Sequence, residues 1–241
     1  MEARETIIPE KYKILSGSAL KCIALVTMLI DHIGLHLLRG SNIVLLRTGQ
    51  GALTLDYLMR RVGRLSFPIY CFLLTEGFLH TRDRKKYGLN LLIFALISEI
   101  PWNLEHTGTL RYPSQNVFFT LFVGYVGLCC LESLREQPRR QLAALLILVL
   151  AALNLRADYG VAGFGLILLL YVLREQKILQ AVLGTCFLSS TWMGGLAFIP
   201  INLYNGERGF IRGRVLKYLF YAAYPLHILA IWLIKKHTVG F

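Results

Sequence analysis

Apolar residues in this chain come in long blocks separated by short, charged punctuation, and the blocks are of membrane-spanning length. Eight of them, at residues 20–38, 62–80, 87–105, 116–134, 141–155, 160–173, 177–199 and 215–234, predict an all-α, polytopic transmembrane helical bundle. The fifth and sixth are only about 22 Å long at about 1.5 Å per residue. They either cross with little tilt or form a hairpin that stops short, hinged at Arg156–Gly160. No linker, low-complexity tract or internal repeat divides the chain, so the pattern predicts one domain over residues 1–241.

Composition agrees with the pattern. Hydrophobic residues make up 55% and charged residues 17%, against about 25% charged in a soluble domain. Met1–Ser18 is of mixed charge and reads as a cytoplasmic segment, with no cleavable signal peptide. Lys and Arg in the short loops orient the bundle. One side collects 15 of the 26 basic residues, including those of His80–Lys86, and it is placed in the cytoplasm, with both termini. The other basic residues concentrate around Arg39–Arg64 and Arg208–Lys217, which this topology puts outside. A net charge of +12 suits anionic lipid headgroups or a polyanionic cofactor, and without a soluble basic domain it does not argue for nucleic acid. The five cysteines all lie in apolar segments, without metal spacing, and read as reduced packing residues.

The candidate chemistry lies inside the spans. Asp31 and His32 interrupt the apolar run Ala19–Leu38, and ionisable groups at such depth are costly unless paired or hydrated. At about 1.5 Å per residue, Asp31, His32 and Glu99 fall at similar depths, about 4 Å to the external side of centre. Arg64 lies above them and Glu76 below, so two acids, a histidine and an arginine could line one wet pocket. A histidine held by a carboxylate is suited to general-base chemistry. Adjacent residues point about 100° apart on a helix, so Asp31 and His32 are not themselves a dyad, and Asp31 can equally neutralise Arg64 or another helix. His32 and His36 share a face at metal-ligand spacing, but no third ligand is placed, and no metal is expected. Glu76 and His80 form a further i, i+4 pair beside a basic loop, and Glu99 and His227 sit next to the helix-kinking residues Pro101 and Pro225.

One spacing is sharper. Eleven helical steps bring Lys21 and His32 to within about 20° of one face, about 16 Å apart along the axis. A coenzyme A would fit that line, its phosphates at Lys21 and the basic loops and its thioester near His32. Snorkelling of Lys21 as an ordinary anchor explains the cation equally well.

The motifs Leu20-Lys21, Thr27-Met28-Leu-Ile-Asp31-His32-Ile-Gly34, Gly63-Arg-Leu-Ser-Phe-Pro-Ile-Tyr70, Glu76-Gly77-Phe78, His80-Thr-Arg82, Ser98-Glu-Ile-Pro-Trp-Asn103, Asp158-Tyr-Gly160 and Tyr224-Pro-Leu-His227 occur in an order that resembles the TraX family, from about Leu20 to Ile234. That family's named member acetylates the N-terminus of F-type pilin in bacterial conjugation, and the family looks like a compact branch of the integral-membrane acyltransferases. The resemblance implies His32 as catalytic base and Lys21 as a seat for coenzyme A. It implies acetyl-CoA as donor and an acceptor that is a pilin N-terminus, an envelope glycan or a small molecule. Where some relatives carry an acid, this chain has Asn103.

The expectation is therefore an acyl-CoA-dependent acetyltransferase among membrane lipids. Lys21, Arg82, Arg84, Lys85 and His227 are its candidate cofactor contacts, and His32, Asp31, Glu99, Arg64 and Glu76 its candidate catalytic groups. Asp31 or Glu99 orients His32 and Arg64 stabilises an oxyanion. The rival is a proton-coupled transporter with Asp31, His32, Glu76 and Glu99 as a relay; the lack of an internal repeat counts against it.

Overall fold

The computed structural model describes residues 7–41, 43–48 and 51–238; residues 1–6 of the expected cytoplasmic segment lie outside them. The described chain is helical, as the block pattern predicts, and five of its helical stretches are long and apolar enough to cross a membrane. It folds as two compact units, one built on Cys71–Phe187 and one on Ile8–Tyr70 with Leu188–Phe241.

In the second of these, Ser16 caps the first long helix, α1 (Gly17–His36), by accepting a hydrogen bond from the Ala19 amide. The chain then forms a short antiparallel pair of strands, β1 (Val44–Thr48) and β2 (Gly51–Thr54), an addition to the all-helical expectation. It returns through α2 (Leu55–Gly63) and into α3 (Ser66–His80). The second predicted block, 62–80, thus starts earlier and is broken at Arg64-Leu65. Pro68 explains the break: it cannot donate to the Arg64 carbonyl and its ring crowds it. The return runs antiparallel to α1. Ser66 Oγ donates to the Ala24 carbonyl at 2.8 Å, and Gly63 packs so closely on α1 that a Cβ there would overlap the Asp31 side chain.

The seventh predicted block, 177–199, is not one helix. It is α8 (Lys177–Phe187), a 3₁₀ stretch over Ser189–Ala197, and the single turn α9 (Phe198–Asn202). Ser189-Ser190 and Gly194-Gly195 are poor helix formers in the middle of that block. The chain closes with α10 (Arg214–Thr238).

Backbone pairing fixes how α10 lies on α1. The Ser18 amide donates to the Arg208 carbonyl, Ser18 Oγ also donates there, and the Ile211 amide donates to Ser18 Oγ. Gly209 has φ +81° and sits where a Cβ would strike Ser16 and Ser18, so glycine is required for this approach. The two helices therefore start side by side and run parallel, with His32 meeting His227 further along. This corrects the sequence topology, which put Arg208–Lys217 opposite Lys21: they lie at the same end. Lys235 and Lys236, expected on the Lys21 side, lie at the other end of the pair, so both termini on one side does not hold for this pair. The sequence count had treated block seven as a single helix, which it is not.

The Cys71–Phe187 unit holds the rest of α3 and α4 (Arg84–Thr107), α5 (Val117–Ser133), α6 (Pro138–Leu155), α7 (Gly160–Val172) and α8. α5 is its centre. Gly124 and Gly127 admit Ile167 and Phe164 of α7 to van der Waals contact, the small-residue packing usual in membranes. Asn116, fully buried, caps α5 through Oδ1 and donates from Nδ2 to the Ala95 carbonyl of α4. α6 leaves Leu142, Leu146, Ile147, Leu150 and Leu153 exposed, a stripe suited to lipid.

Candidate functional site

His32 of α1 and His227 of α10 meet side by side. His32 Nδ1 lies 2.6 Å from His227 Nε2, and the rings stack with centroids 4.8 Å apart. Tyr224 stands edge-on to both, at 6.4 and 5.5 Å, and His36 lies 5.7 Å from His32. The second nitrogen of His227 decides the protonation pattern. His227 Nδ1 is 2.8 Å from the Ala223 carbonyl, which can only accept, so Nδ1 carries the proton. In the neutral ring Nε2 is then an acceptor, and His32 Nδ1 must donate to it. With both rings neutral, the lone pair of His32 then sits on Nε2. A backbone carbonyl one turn back in α10 sets the tautomer of a histidine on α1, as hydrogen-bonded carbonyls and carboxylates do for catalytic and metal-bound imidazoles. His227, expected from sequence as a cofactor contact, lies against His32.

Asp31 takes no part in that pair. Its Oδ2 accepts from Arg60 Nη1 at 2.6 Å, and Arg64 lies within electrostatic reach. Oδ1 is buried without a hydrogen-bond partner among the described residues. Asp31 therefore ties α1 to α2. Arg60 was not foreseen; the signal was its i, i+4 spacing from Arg64.

Lys21 is half-buried near the start of α1, within electrostatic reach of Arg208 and Lys217. Among the described residues none of these three is in an ion pair with an acid. Three cations thus converge at one end of the α1–α10 pair, with the two histidines about 16 Å further along at about 1.5 Å per residue. Arg208 and Lys217 were missed as neighbours of Lys21 because the topology had them on the wrong side.

The remaining candidates lie in the other unit. Glu99 accepts from Asn116 Nδ2 at 2.6 Å. His80 Nδ1 donates to the Glu76 carbonyl at 2.9 Å, with the Glu76 carboxylate 3.8 Å away. Arg84 stacks its guanidinium on Phe78, 4.3 Å from the ring centroid, and Asp83 between Arg82 and Arg84 caps α4 by accepting from the Lys86 amide. Arg82, Arg84 and Lys85 are exposed. No group of three or more metal-ligating side chains occurs among the described residues.

Comparison with known proteins places the chain. Residues 16–235 match the family described as TraX protein. A relative from Dichelobacter nodosus, named "Probable fimbrial assembly protein FimC, serogroup H1", is 31% identical over 242 residues, covering 88% of this chain and 93% of the relative. No solved structure matches. The family match spans both histidines, Lys21 and every acid discussed above, and the chain is a membrane protein of the TraX family.

Proposed function

We propose that the chain is an acyl-CoA-dependent acyltransferase of the bacterial inner membrane, most simply an acetyltransferase. The observation that carries this reading is the oriented His32–His227 pair, which presents an imidazole lone pair on His32 Nε2. The coenzyme A phosphates bind the Lys21, Arg208 and Lys217 cluster, and the pantetheine arm runs along α1. His32 Nε2 takes the proton of an acceptor amine or hydroxyl, and the nucleophile attacks the thioester carbonyl. The C–S bond then breaks, and the departing thiolate takes the proton back from His32. The name of the Dichelobacter relative fits an acceptor that is the N-terminal amine of a fimbrial or pilin subunit.

The test is free-thiol release from acetyl-CoA by purified full-length protein with an acceptor amine, wild type against His32→Ala. Loss of turnover by about 10²-fold or more is expected for removal of a general base. Equal rates, or no turnover and no binding at saturating acetyl-CoA, sink the proposal. In the same preparation Lys21→Ala should weaken binding of coenzyme A far more than of pantetheine, which lacks the charged phosphates. Equal losses for both would remove Lys21 from the phosphate role.

A further inference from the structure

Glu99 lies in a membrane helix with no positive charge beside it among the described residues. It is half-buried on α4, its Oε2 held by Asn116, and among the described residues no Lys, Arg or His comes within ion-pair distance of it. A carboxylate at such depth is costly unless a counter-charge is present. Glu99 lines a cavity of about 450 Å³ at the C-terminal end of α4, with Asn103, Leu110, Arg111, Tyr112 and Gln115. Asn103 is 7% exposed and donates its Nδ2 to the Leu110 carbonyl, which leaves its Oδ1 as a buried acceptor with no donor. Glu99 and Asn103 are one turn apart, so a carboxyl and an amide oxygen stand on the same helix face beside the cavity. Arg111 faces the same cavity, is exposed, and is in no ion pair among the described residues. Opposite charges thus line one small cavity without pairing with each other.

We infer that this cavity is a binding site for a primary ammonium group that carries an anion beside it, the ammonium donating to Glu99 and Asn103 and the anion meeting Arg111. The ammonium must carry N–H donors because the wall presents acceptors, which a quaternary ammonium cannot satisfy, and a primary one has the most donors to offer. The Arg111 guanidinium suits a phosphate or a carboxylate equally. Phosphoethanolamine headgroups and free amino acids share this chemistry. The inference does not depend on acyl transfer.

Calorimetry on the full chain in maltoside detergent tests it, with O-phosphoethanolamine, phosphocholine and glycine as probes. Phosphoethanolamine or glycine should bind, and phosphocholine should bind at least about tenfold more weakly, a ratio worth about 1.4 kcal/mol. Tighter binding of phosphoethanolamine points to a lipid headgroup, and tighter binding of glycine to an amino acid. Glu99→Gln should weaken the binding at least about tenfold, with Glu99→Asp recovering part of it. Arg111→Gln, on an exposed loop where folding is not at stake, should weaken phosphoethanolamine binding by a similar factor. Equal affinity for phosphoethanolamine and phosphocholine, no binding at millimolar probe, or Arg111→Gln behaving as wild type would overturn the inference.

Discussion

Arg60 and Asp31 make an asymmetric pair, and the asymmetry gives a worked prediction. Their nitrogen and oxygen are 2.6 Å apart, with side-chain exposures of 27% for Arg60 and 12% for Asp31. At an effective dielectric of about 20, a unit pair at that distance attracts by about 6 kcal/mol. Desolvation offsets much of that, and removing one partner of a buried pair typically costs about 3–5 kcal/mol. Arg60→Gln strands the more buried charge and should sit in that range, at about 3 kcal/mol. Asp31→Asn keeps an amide oxygen able to accept from the more exposed Arg60, so about half that loss is expected. For a chain of this size about 1 kcal/mol corresponds to about 2–4 °C, so Arg60→Gln should lower the thermal midpoint by about 6–12 °C.

The assay is thermal unfolding in detergent of both single variants and of the double variant Asp31→Asn/Arg60→Gln, scored as a cycle. The double variant should be more stable than Arg60→Gln alone, because no charge is then left buried. Strictly additive losses, or an Asp31→Asn more damaging than Arg60→Gln, would refute the reasoning. Thioester turnover in the double variant separates roles: a tie between α1 and α2 predicts turnover within about threefold of wild type, whereas a collapse of kcat would put Asp31 in the chemistry.

Two further predictions concern the α1–α10 pair. His227→Leu removes the acceptor that fixes the His32 tautomer, and about 1–3 kcal/mol of transition-state stabilisation should go with it. It should therefore lower kcat by about 5- to 150-fold with KM for acetyl-CoA unchanged, while His227→Gln, which keeps an acceptor, should lie between it and wild type; a KM effect with unchanged kcat would return His227 to a cofactor contact. Single cysteines at Tyr12 and Arg212, in a chain otherwise free of cysteine, should label with a membrane-impermeant maleimide from one side, and one at Lys236 from the other. Labelling of Arg212→Cys and Lys236→Cys from the same side would refute the parallel arrangement.

Helical class and the ends of most long helices were legible because burial in lipid demands predominantly apolar runs of fixed length, and 17–36 and 84–107 each form one unbroken helix. The Lys21–His32 line was legible for a related reason: α1 is unbroken, so helical phase carries across eleven residues. What pattern alone does not carry is partner choice. His227 could be placed at depth but not on His32, since that requires knowing that α1 and α10 run parallel. Asp31 has Arg60 and Arg64 at helical spacing on the returning chain, and the closeness permitted by Gly63 decides between them. The β1–β2 hairpin was missed because the polar-flanked stretch Val44–Thr54 is too short for a span and was left within a loop.

The break in block seven has the largest consequence for chemistry. A straight crossing there would have delivered Arg208 and Lys217 to the far end of α1, leaving Lys21 as one snorkelling cation. With the break, the loop after α9 folds back onto Ser16 and Ser18, and α10 starts beside α1. Each helix then brings a lysine at one end and a histidine about ten residues on, Lys21 with His32 and Lys217 with His227. Parallel packing is what lets both lysines meet when both histidines meet. In an antiparallel pair the same residues would put one lysine at each end, and a chain of phosphates would have no concentrated charge to bind. The acyl-transfer reading thus rests on the relative direction of two helices more than on any single residue between them.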